Sequence, residues 1–353
     1  MRSTGSRPSS AVIGRHDRSR TGAAVISRKR FLTLSWILGL ALFVVIIART
    51  GQARVWESLK QLSWKSLAWL FLLRLIYWVM RTYYWKIILD SYGERPPFAN
   101  LFAARIAGHA LSYLTPSSHF GGEAVRALVA DCRDRKKCFA SIIVDTTLEI
   151  LTVVLFAIVA VVMALSRVGL PGQVKFFLVA AAAAAGLAVL FILNRQRKGI
   201  FIWLLDLLVK IRIRPGILER NRDKIRQVDD HIADFMKGRR NVWVQAVGFN
   251  GLIVLFWTLE IHLTLAFLGA VKTNYLLSFM ITTLGTLAFV IPAIPASLGT
   301  FELTYVGLFT LFGLSSGLAV SVTLVRRILA LFWAGTGLVF VMLNNKRLSS
   351  QGR

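Results

Sequence analysis

The sequence predicts an all-α polytopic membrane protein with about 6–8 transmembrane helices, interrupted by two segments that proline and glycine break. Of its 353 residues, 56% are hydrophobic, and the mean hydropathy is +0.61. Several separate apolar stretches are long enough to cross a hydrocarbon core of about 30 Å. The basic residues, 43 Lys and Arg against 17 Asp and Glu, concentrate between those stretches. A water-soluble domain rarely combines these three features.

The formal net charge of +26 raises a choice between nucleic acid and membrane as the partner. The positions of the charges favour the membrane, because Lys and Arg cluster in alternate loops and so follow the positive-inside rule. We therefore expect no nucleic-acid partner and place both termini in the cytoplasm. The loops assigned to the cytoplasm are the N-terminal tail, Asp90–Phe98, Glu123–Lys137, Arg195–Arg240 and the C-terminal tail.

The chain divides into a membrane domain and two polar tails. Residues 1–30 are rich in Arg, Ser and Gly and are predicted to form a disordered cytoplasmic tail. The transmembrane domain covers residues 31–343, and residues 344–353 form the second cytoplasmic tail. We read the first apolar run as an uncleaved anchor, because its basic head is long and no small-residue cleavage site follows it.

Six apolar runs are close to the length of about 20 residues that a transmembrane helix needs. These runs are Phe31–Ile47, Leu67–Leu89, Ser141–Leu165, Val174–Leu193, Val242–Leu268 and Leu318–Leu343. Two further stretches, Asn100–Gly122 and Tyr275–Phe312, are apolar but contain Pro and Gly, which predicts broken or re-entrant helices.

The longest polar segment, residues 195–241, is predicted to be a cytoplasmic amphipathic loop. Within Arg212–Arg240 the apolar residues recur at roughly helical spacing between charged ones. A helix of this kind can be a connector that rests on the anionic leaflet, or it can dock a partner protein.

The two interrupted stretches share a motif. In the first, Pro116 precedes Gly121, Gly122 and Glu123; in the second, Pro295 precedes Gly299 and Glu302. In both, a glutamate follows the proline by seven positions. Proline removes a backbone donor and glycine permits unusual dihedral angles, so the helix opens and frees backbone groups that must line a cavity or be buried in protein.

A helix that begins just after such a break presents free amides and a positive dipole end, which suits an anionic headgroup. The alternative is that the breaks only kink helices for packing and that each glutamate caps a helix or forms a local pair. The order of span, broken segment and span occurs over Leu67–Leu165 and again, upside down, over Val242–Leu343. This order is typical of the inverted repeats of secondary transporters.

Ionisable residues within the apolar spans are candidates for function because they are costly in a membrane. They are Arg74, Arg81, Asp145, Glu149, Glu260, His262, Arg326 and Arg327. Asp145 and Glu149 lie four residues apart and so share one helical face. Because the span after the first motif carries acids and the span after the second carries arginines, we expect an ion-paired centre between the repeats, with Arg74 and Arg81 as further partners of the acids.

Two smaller groups have simple interpretations. Trp78, Tyr83, Tyr84 and Trp85 are interpreted as an interfacial aromatic belt. Cys132 and Cys138 lie in a predicted cytoplasmic stretch, where thiols stay reduced, and their spacing matches no metal site. We therefore expect inert thiols, no disulfide, no metal and no cofactor.

From Gly121, Gly122 and Glu123 through Pro295, Leu298, Gly299 and Glu302 to Arg326 and Arg327, the sequence resembles the flippase-like family of the lysylphosphatidylglycerol synthase transmembrane domain. Val144–Glu149 resemble the branch associated with hopanoid biosynthesis. The resemblance implies a bacterial inner-membrane protein that moves a lipid between leaflets. Synthetase members carry a soluble aminoacyl-transfer domain after the membrane part, whereas this chain ends at Arg353, so we expect no such transfer.

Three functions follow as hypotheses. The first is a lipid translocase for a phospholipid, isoprenoid or hopanoid lipid. The second is a membrane-embedded lipid-modifying enzyme such as a glycosyltransferase, and the third is a non-catalytic scaffold for lipid-biosynthesis enzymes. Since no ATP-binding P-loop is found, uphill transport would need an ion gradient or a partner. The candidate substrate-binding residues are Gly121, Gly122, Glu123, Arg126, Asp145, Glu149, Pro295, Gly299, Glu302, Arg326 and Arg327, and no catalytic residue is assigned.

Overall fold

The computed structural model describes residues 56, 60, 62–114, 122–210, 219–270, 273–286 and 299–350, and this part of the chain contains eleven α-helices and no strand. In chain order they are α1 Trp64–Ser91, α2 Phe98–Leu114, α3 Glu123–Val129, α4 Arg135–Arg167, α5 Gly172–Gln196, α6 Ile200–Lys210, α7 Arg222–Gly238, α8 Arg240–Phe267, α9 Tyr275–Gly285, α10 Thr300–Leu311 and α11 Ser316–Ser350.

The predicted all-α polytopic membrane fold is confirmed. Four helices are long and apolar enough to cross a membrane, namely α4, α5, α8 and the part of α11 over Ser316–Met342. The predicted span Leu67–Leu89 lies within α1, which is 28 residues long but carries buried arginine. The remaining predicted span, Phe31–Ile47, lies outside the described residues.

Both predicted interruptions separate two helices. The first lies between α2 and α3, and the second lies between α9 and α10. The order of long helix, broken pair and long helix therefore occurs twice, as α1 to α4 and as α8 to α11. The two halves pack together, because α2 lies along α11 and α1 lies along α8.

Small residues allow α2 to approach α11 closely. Ala104, Ala107 and Ala110 on α2 are fully buried. On the facing helix, a Cβ added at Gly337 would collide with the carbonyl oxygen of Ile106 and would lie 2.7 Å from the Cβ of Ala110. Close backbone approach through small residues is a common way for membrane helices to associate. It holds α2 against α11, the last helix of the second half.

The loop between α3 and α4 is fixed by capping and by a disulfide. Asp134 accepts hydrogen bonds from the amides of Lys136 (2.8 Å) and Lys137 (3.4 Å) and so caps α4. Cys132 and Cys138 form a disulfide, with their Cα atoms 6.1 Å apart. The expectation of two free thiols is therefore wrong. The charge rule predicts a compartment but not the short turn that brings two cysteines on either side of a helix start together.

The amphipathic helix predicted within Arg212–Arg240 is present as α7, and residues 211–218 lie outside the described part. Its apolar residues Ile232 and Phe235 are buried against α1, α4, α5 and α8. This face therefore covers protein, and the position of the helix on the anionic leaflet stays a prediction. An amphipathic pattern is the same whether protein or lipid covers the apolar face.

The helix α6, which sequence analysis did not distinguish from the loop, is held by α7. Asp229 on α7 is buried, and its carboxylate accepts hydrogen bonds from the amides of Phe201 (3.1 Å) and Ile202 (2.8 Å). Gly199, just before α6, has a positive φ of 90°, and a Cβ there would lie 3.2 Å from a carboxylate oxygen of Asp229. The first turn of α6 thus depends on glycine at 199 and a carboxylate at 229.

Candidate functional site

At the end of the first break, Gly122 packs directly against Gly108 of α2. The amide of Gly122 donates to the hydroxyl of Ser112 (3.0 Å). A Cβ at Gly122 would overlap the carbonyl oxygen of Gly108 on α2, and a Cβ at Gly108 would lie 2.5 Å from the Cγ of Arg126. The glycine at 122 is therefore required by close packing of α3 on α2. Residues 115–121, which include Gly121, lie outside the described part.

This contact positions Arg126 of α3 beside Asp145 of α4. Arg126 donates to the Asp145 carboxylate at 2.8 Å, and Arg105 of α2 donates to both carboxylate oxygens at 2.8 and 3.0 Å. Asp145 is fully buried, and the two arginines are 5% and 6% exposed. One carboxylate is thus shared by two guanidinium groups.

Sequence analysis missed Arg105. It is the one charged residue of the otherwise apolar α2, Phe98–Leu114, and a lone arginine in such a run is itself a signal of a buried polar site.

Trp85 supports this pair of arginines. The Cζ atoms of Arg126 and Arg105 lie 4.3 and 5.5 Å from the centre of its indole ring, and its N–H donates to the hydroxyl of Ser141 (3.1 Å). Trp85 and Tyr84 are fully buried, and Trp78 is 7% exposed. The interpretation of these three as an interfacial belt is therefore wrong, and Tyr83, which is 50% exposed, fits it alone. Helical rotation, which residue type does not reveal, turns the three rings inward.

The arginines of α1 connect both halves. Arg81 pairs with Glu149 of α4, as predicted, and also donates to the side-chain oxygen of Asn250 on α8 (3.1 Å). Arg74 pairs with Glu260 of α8 rather than with Asp145 or Glu149. Glu260 is fully buried, whereas His262 is directed to Ser278 of α9 (3.0 Å). The two residues therefore have different partners on different helices.

The second break ends in a capped helix. Gly299 has a positive φ of 79°, and Glu302 accepts a hydrogen bond from its amide through Oε2 (2.7 Å). The other oxygen of Glu302 pairs with the guanidinium of Arg327 on α11. Glu302 is fully buried. It therefore caps α10 and neutralises Arg327 at once, while Pro295 falls within residues 287–298, outside the described part.

The neighbouring arginines 326 and 327 have different surroundings. Arg327 pairs with Glu302 and also donates to the hydroxyl of Tyr113 at the end of α2 (3.3 Å). Arg326 is 9% exposed and donates to the hydroxyl of Tyr305. Its Cζ lies 4.8 to 5.4 Å from the ring centres of Phe301, Trp257 and Tyr305. An aromatic cage, rather than a carboxylate, surrounds it in the described part of the chain.

The predicted ion pairs between the acids of α4 and the arginines of α11 are not formed. Asp145 is occupied by Arg105 and Arg126, Glu149 by Arg81, and Arg327 by Glu302. The charges are therefore satisfied largely within each half, and Arg74 makes the ion pair that joins α1 to α8.

The sequence model of the family described as the lysylphosphatidylglycerol synthase TM region matches residues 34–338. This chain belongs to that family. The matched region contains both broken motifs and the two arginines of α11, so the buried polar groups all lie in the part that defines the family.

Three proteins of similar length from archaea are similar to this chain. A UPF0104 membrane protein of Pyrococcus horikoshii is 24% identical over 91% of this chain and 99% of its own length. Two UPF0104 membrane proteins of Methanothermobacter thermautotrophicus are 22% and 24% identical over 84% and 88% of this chain, and over 90% and 92% of their own lengths. No solved structure matches the chain at a significant level.

Glu123 and Glu302, which each follow a proline by seven positions, have different surroundings. Glu302 is fully buried and both of its oxygens have partners. Glu123 is half-buried at the first position of α3, and its Oε2 accepts no hydrogen bond from the described residues. The shared spacing therefore places both glutamates in the first turn of a helix. Only Glu302 caps its helix, because it accepts a hydrogen bond from the amide of Gly299.

Proposed function

We propose that this protein is a lipid translocase of the inner membrane, which moves or presents a phospholipid, isoprenoid or hopanoid lipid between leaflets. One observation carries the proposal. Each broken motif is joined to a buried carboxylate–guanidinium pair, Asp145 with Arg126 at the first and Glu302 with Arg327 at the second. Such pairs are costly within a bilayer and are typical of pathways for polar groups.

The hydrogen bond from Arg327 to Tyr113 supports one shared site, because it connects α11 to the end of α2 just before the first break. A headgroup would enter among these polar groups. Its tails would remain in lipid beside apolar outer faces such as that of α5, where Phe176 and Phe177 are 78% and 69% exposed.

We also propose a location and partners for the protein. Basic loops alternate with apolar spans, so both termini would be cytoplasmic under the positive-inside rule. We propose membrane lipid as the substrate, lipid-biosynthesis enzymes as partners, and no enzymatic reaction on this polypeptide. Uphill movement would draw on an ion gradient or a partner.

The test is lipid movement in proteoliposomes. Fluorescent phospholipid and isoprenoid lipids are placed in both leaflets, and a membrane-impermeant reductant is added outside. The proposal predicts that the protein raises the quenched fraction well above the outer-leaflet half, and that Glu302→Gln and Arg327→Gln reduce the rate roughly tenfold or more. Arg222→Gln, at an exposed pair with Asp206, is the matched control and should keep the wild-type rate.

Failure of the protein to move any of these lipids would contradict the proposal. Formation of a new lipid from a sugar or aminoacyl donor would favour the enzyme hypothesis instead. Absence of both activities, with retention of lipid-synthesis enzymes, would favour the scaffold.

A further inference from the structure

The outer face of the short helix α6 is apolar and exposed. Leu204 and Leu207 are 44% and 38% exposed, and Trp203 lies on the same side, because residues three and four positions apart share one face of a helix. The opposite face packs on protein. There Leu205 is buried, and Phe201 packs against the hydrophobic cluster that α1, α4, α5, α7 and α8 share. Protein therefore covers only one of the two apolar faces of α6 in the described part of the chain.

Two contacts with α7 fix the rotation of α6 about its axis. The carboxylate of Asp229 accepts hydrogen bonds from the amides of Phe201 and Ile202 in the first turn of α6. Near the other end, Asp206 pairs with Arg222 of α7 (2.6 Å). The exposed apolar face is thus held in place by the fold.

This exposed face continues the outer surface of α5, a candidate membrane span. Leu187, Leu190 and Phe191 are exposed on α5, and hydrocarbon would cover them in a bilayer. The ring centre of Trp203 lies 5.8 Å from that of Phe191, and the Cζ of Arg195 lies 4.5 Å from the Trp203 ring centre. Phe191 is five residues before the end of α5, which is about 7.5 Å along the helix axis. Trp203 therefore lies close to the level at which α5 leaves the membrane.

Basic side chains flank the exposed face at both ends. Arg197 and Lys198 are exposed just before α6, and Lys210 is exposed at its last residue. Arg212 and Arg214 follow in the sequence. Tryptophan is enriched at the membrane interface, and an apolar helix face flanked by Lys and Arg is typical of helices that lie on anionic lipid.

A lipid surface fits this face better than a partner protein does. The helix has 11 residues, so it is only about 16 Å long and offers far less area than the roughly 1,000 Å² of a specific protein interface. A partner on Trp203 would also have to share the surface with the hydrocarbon that covers Phe191.

We propose that α6 is an interfacial helix, which inserts Trp203, Leu204 and Leu207 into an anionic leaflet at the end of α5 while the flanking basic side chains contact lipid phosphates. This contact is separate from the lipid pathway proposed above. It does not depend on whether the protein moves lipid.

The first measurement is the membrane depth of position 204. Leu204→Cys, in the full-length chain with Cys132 and Cys138 replaced by Ser, carries a nitroxide label in nanodiscs of phosphatidylcholine and phosphatidylglycerol. Collisions with oxygen, which concentrates among acyl chains, and with a water-soluble nickel chelate report what surrounds the label. We expect a depth of about 5–10 Å into the boundary between headgroups and acyl chains. Leu187→Cys on α5 should lie deeper, and Asp223→Cys, exposed on α7, should lie in water.

Two outcomes of this measurement would overturn the proposal. If the label at position 204 collides with the nickel chelate as often as the label at position 223, the face lies in water. If the label at position 204 is protected from both reagents, protein rather than lipid covers the face.

The second measurement tests the charge of the leaflet and uses the wild-type chain. Hydrogen exchange of residues 200–210 is compared in nanodiscs of phosphatidylcholine with and without phosphatidylglycerol. An anionic surface attracts each nearby Lys or Arg by about 1 kcal/mol, so phosphatidylglycerol should slow exchange at least about fivefold. The effect should be smaller when Arg197, Lys198 and Lys210 are all replaced by Gln, and exchange of α4 should be equal in both mixtures. Equal exchange of residues 200–210 in the two mixtures would overturn the assignment to an anionic leaflet.

Discussion

At the residue scale, the site consists of buried arginines whose positive charges are compensated by carboxylates or stabilised by aromatic rings. Asp145 holds two of them, Glu302 holds one, and Arg326 has an aromatic cage in place of a carboxylate. Two adjacent residues, 326 and 327, thereby have different surroundings. Glu302 neutralises Arg327, whereas Arg326 donates to the Tyr305 hydroxyl.

Asp145 is the residue whose loss should be most destabilising. Asp145→Asn removes the charge that compensates Arg105 and Arg126, both buried, and the loss of one partner of a buried ion pair costs roughly 3–5 kcal/mol. We therefore expect a markedly lower unfolding temperature in detergent, measured by intrinsic fluorescence. Asp206→Asn, which breaks an exposed pair with Arg222, is the control and should leave that temperature unchanged. Equal unfolding temperatures for the two variants would contradict the buried cluster.

Gly122 should not tolerate a side chain. In Gly122→Ala the new Cβ would overlap the carbonyl oxygen of Gly108, so α3 must move away from α2 and unfolding should become easier by roughly 1–3 kcal/mol. Gly248→Ala is the matched control, because a Cβ there meets nothing within 4 Å. Its midpoint in a denaturant titration should be unchanged or slightly higher. A Gly122→Ala midpoint equal to wild type would show that α3 does not need this contact.

Most residues of the buried polar site were predictable from sequence, with Arg105 as the exception, but of their pairings only that of Arg81 with Glu149 was. Charged residues within apolar runs are conspicuous, and the shared spacing identified Glu302. Pairing depends on contacts between helices far apart in the chain, such as Arg74 with Glu260. Glu302 was also expected to be either a helix cap and local partner or a functional group; the structure shows the capping and pairing, and the functional role stays a prediction.

At the scale of elements, the amphipathic helix α7 shows what a periodic pattern can and cannot predict. Its helical spacing was sufficient to predict the helix, because apolar residues recur every three or four positions. The surface that covers the apolar face is not encoded in that spacing. In the structure this face joins the ends of the long helices, and Tyr92 of the segment after α1 donates to the carbonyl oxygen of His231 on α7 (3.1 Å).

Asp229 should hold α6 against α7. In Asp229→Ala the amides of Phe201 and Ile202 lose their acceptors, which corresponds to loss of a helix cap and costs about 0.5–2 kcal/mol. Hydrogen exchange of residues 200–210 should become faster while that of α4 stays slow. Burial raises the pKa of the Asp229 carboxyl, although the two amides lower it. Because Phe201 and Ile202 donate to different carboxylate oxygens, Asp229→Asn keeps one acceptor and turns an NH2 group toward the other amide, so exchange should become faster in this variant too.

The adjacent exposed residue provides the control for this element. Asp230→Ala removes a carboxylate of the same helix that is exposed to solvent, and exchange in residues 200–210 should be unaffected. Faster exchange in both variants would indicate that α7 itself, rather than the cap, has been loosened.

At the scale of the whole molecule, the two halves are joined along two seams. Gly337 lets α11 lie against α2, and Arg74 and Arg81 tie α1 to α8. The order of long helix, broken pair and long helix was predictable, because the spans and breaks are visible in hydropathy and in Pro and Gly. The close packing of α2 was not, since small residues alone do not specify which helix they face.

We propose that the two broken motifs are halves of one lipid pathway and open to opposite sides of the membrane. The most direct measurement is labelling of Ser118→Cys and Ser297→Cys, each in a background with Cys132 and Cys138 replaced by Ser, by a membrane-impermeant maleimide in oriented vesicles. The account predicts that Ser118→Cys reacts from the cytoplasmic side and Ser297→Cys from the other side. Reaction of both variants from the same side would contradict it.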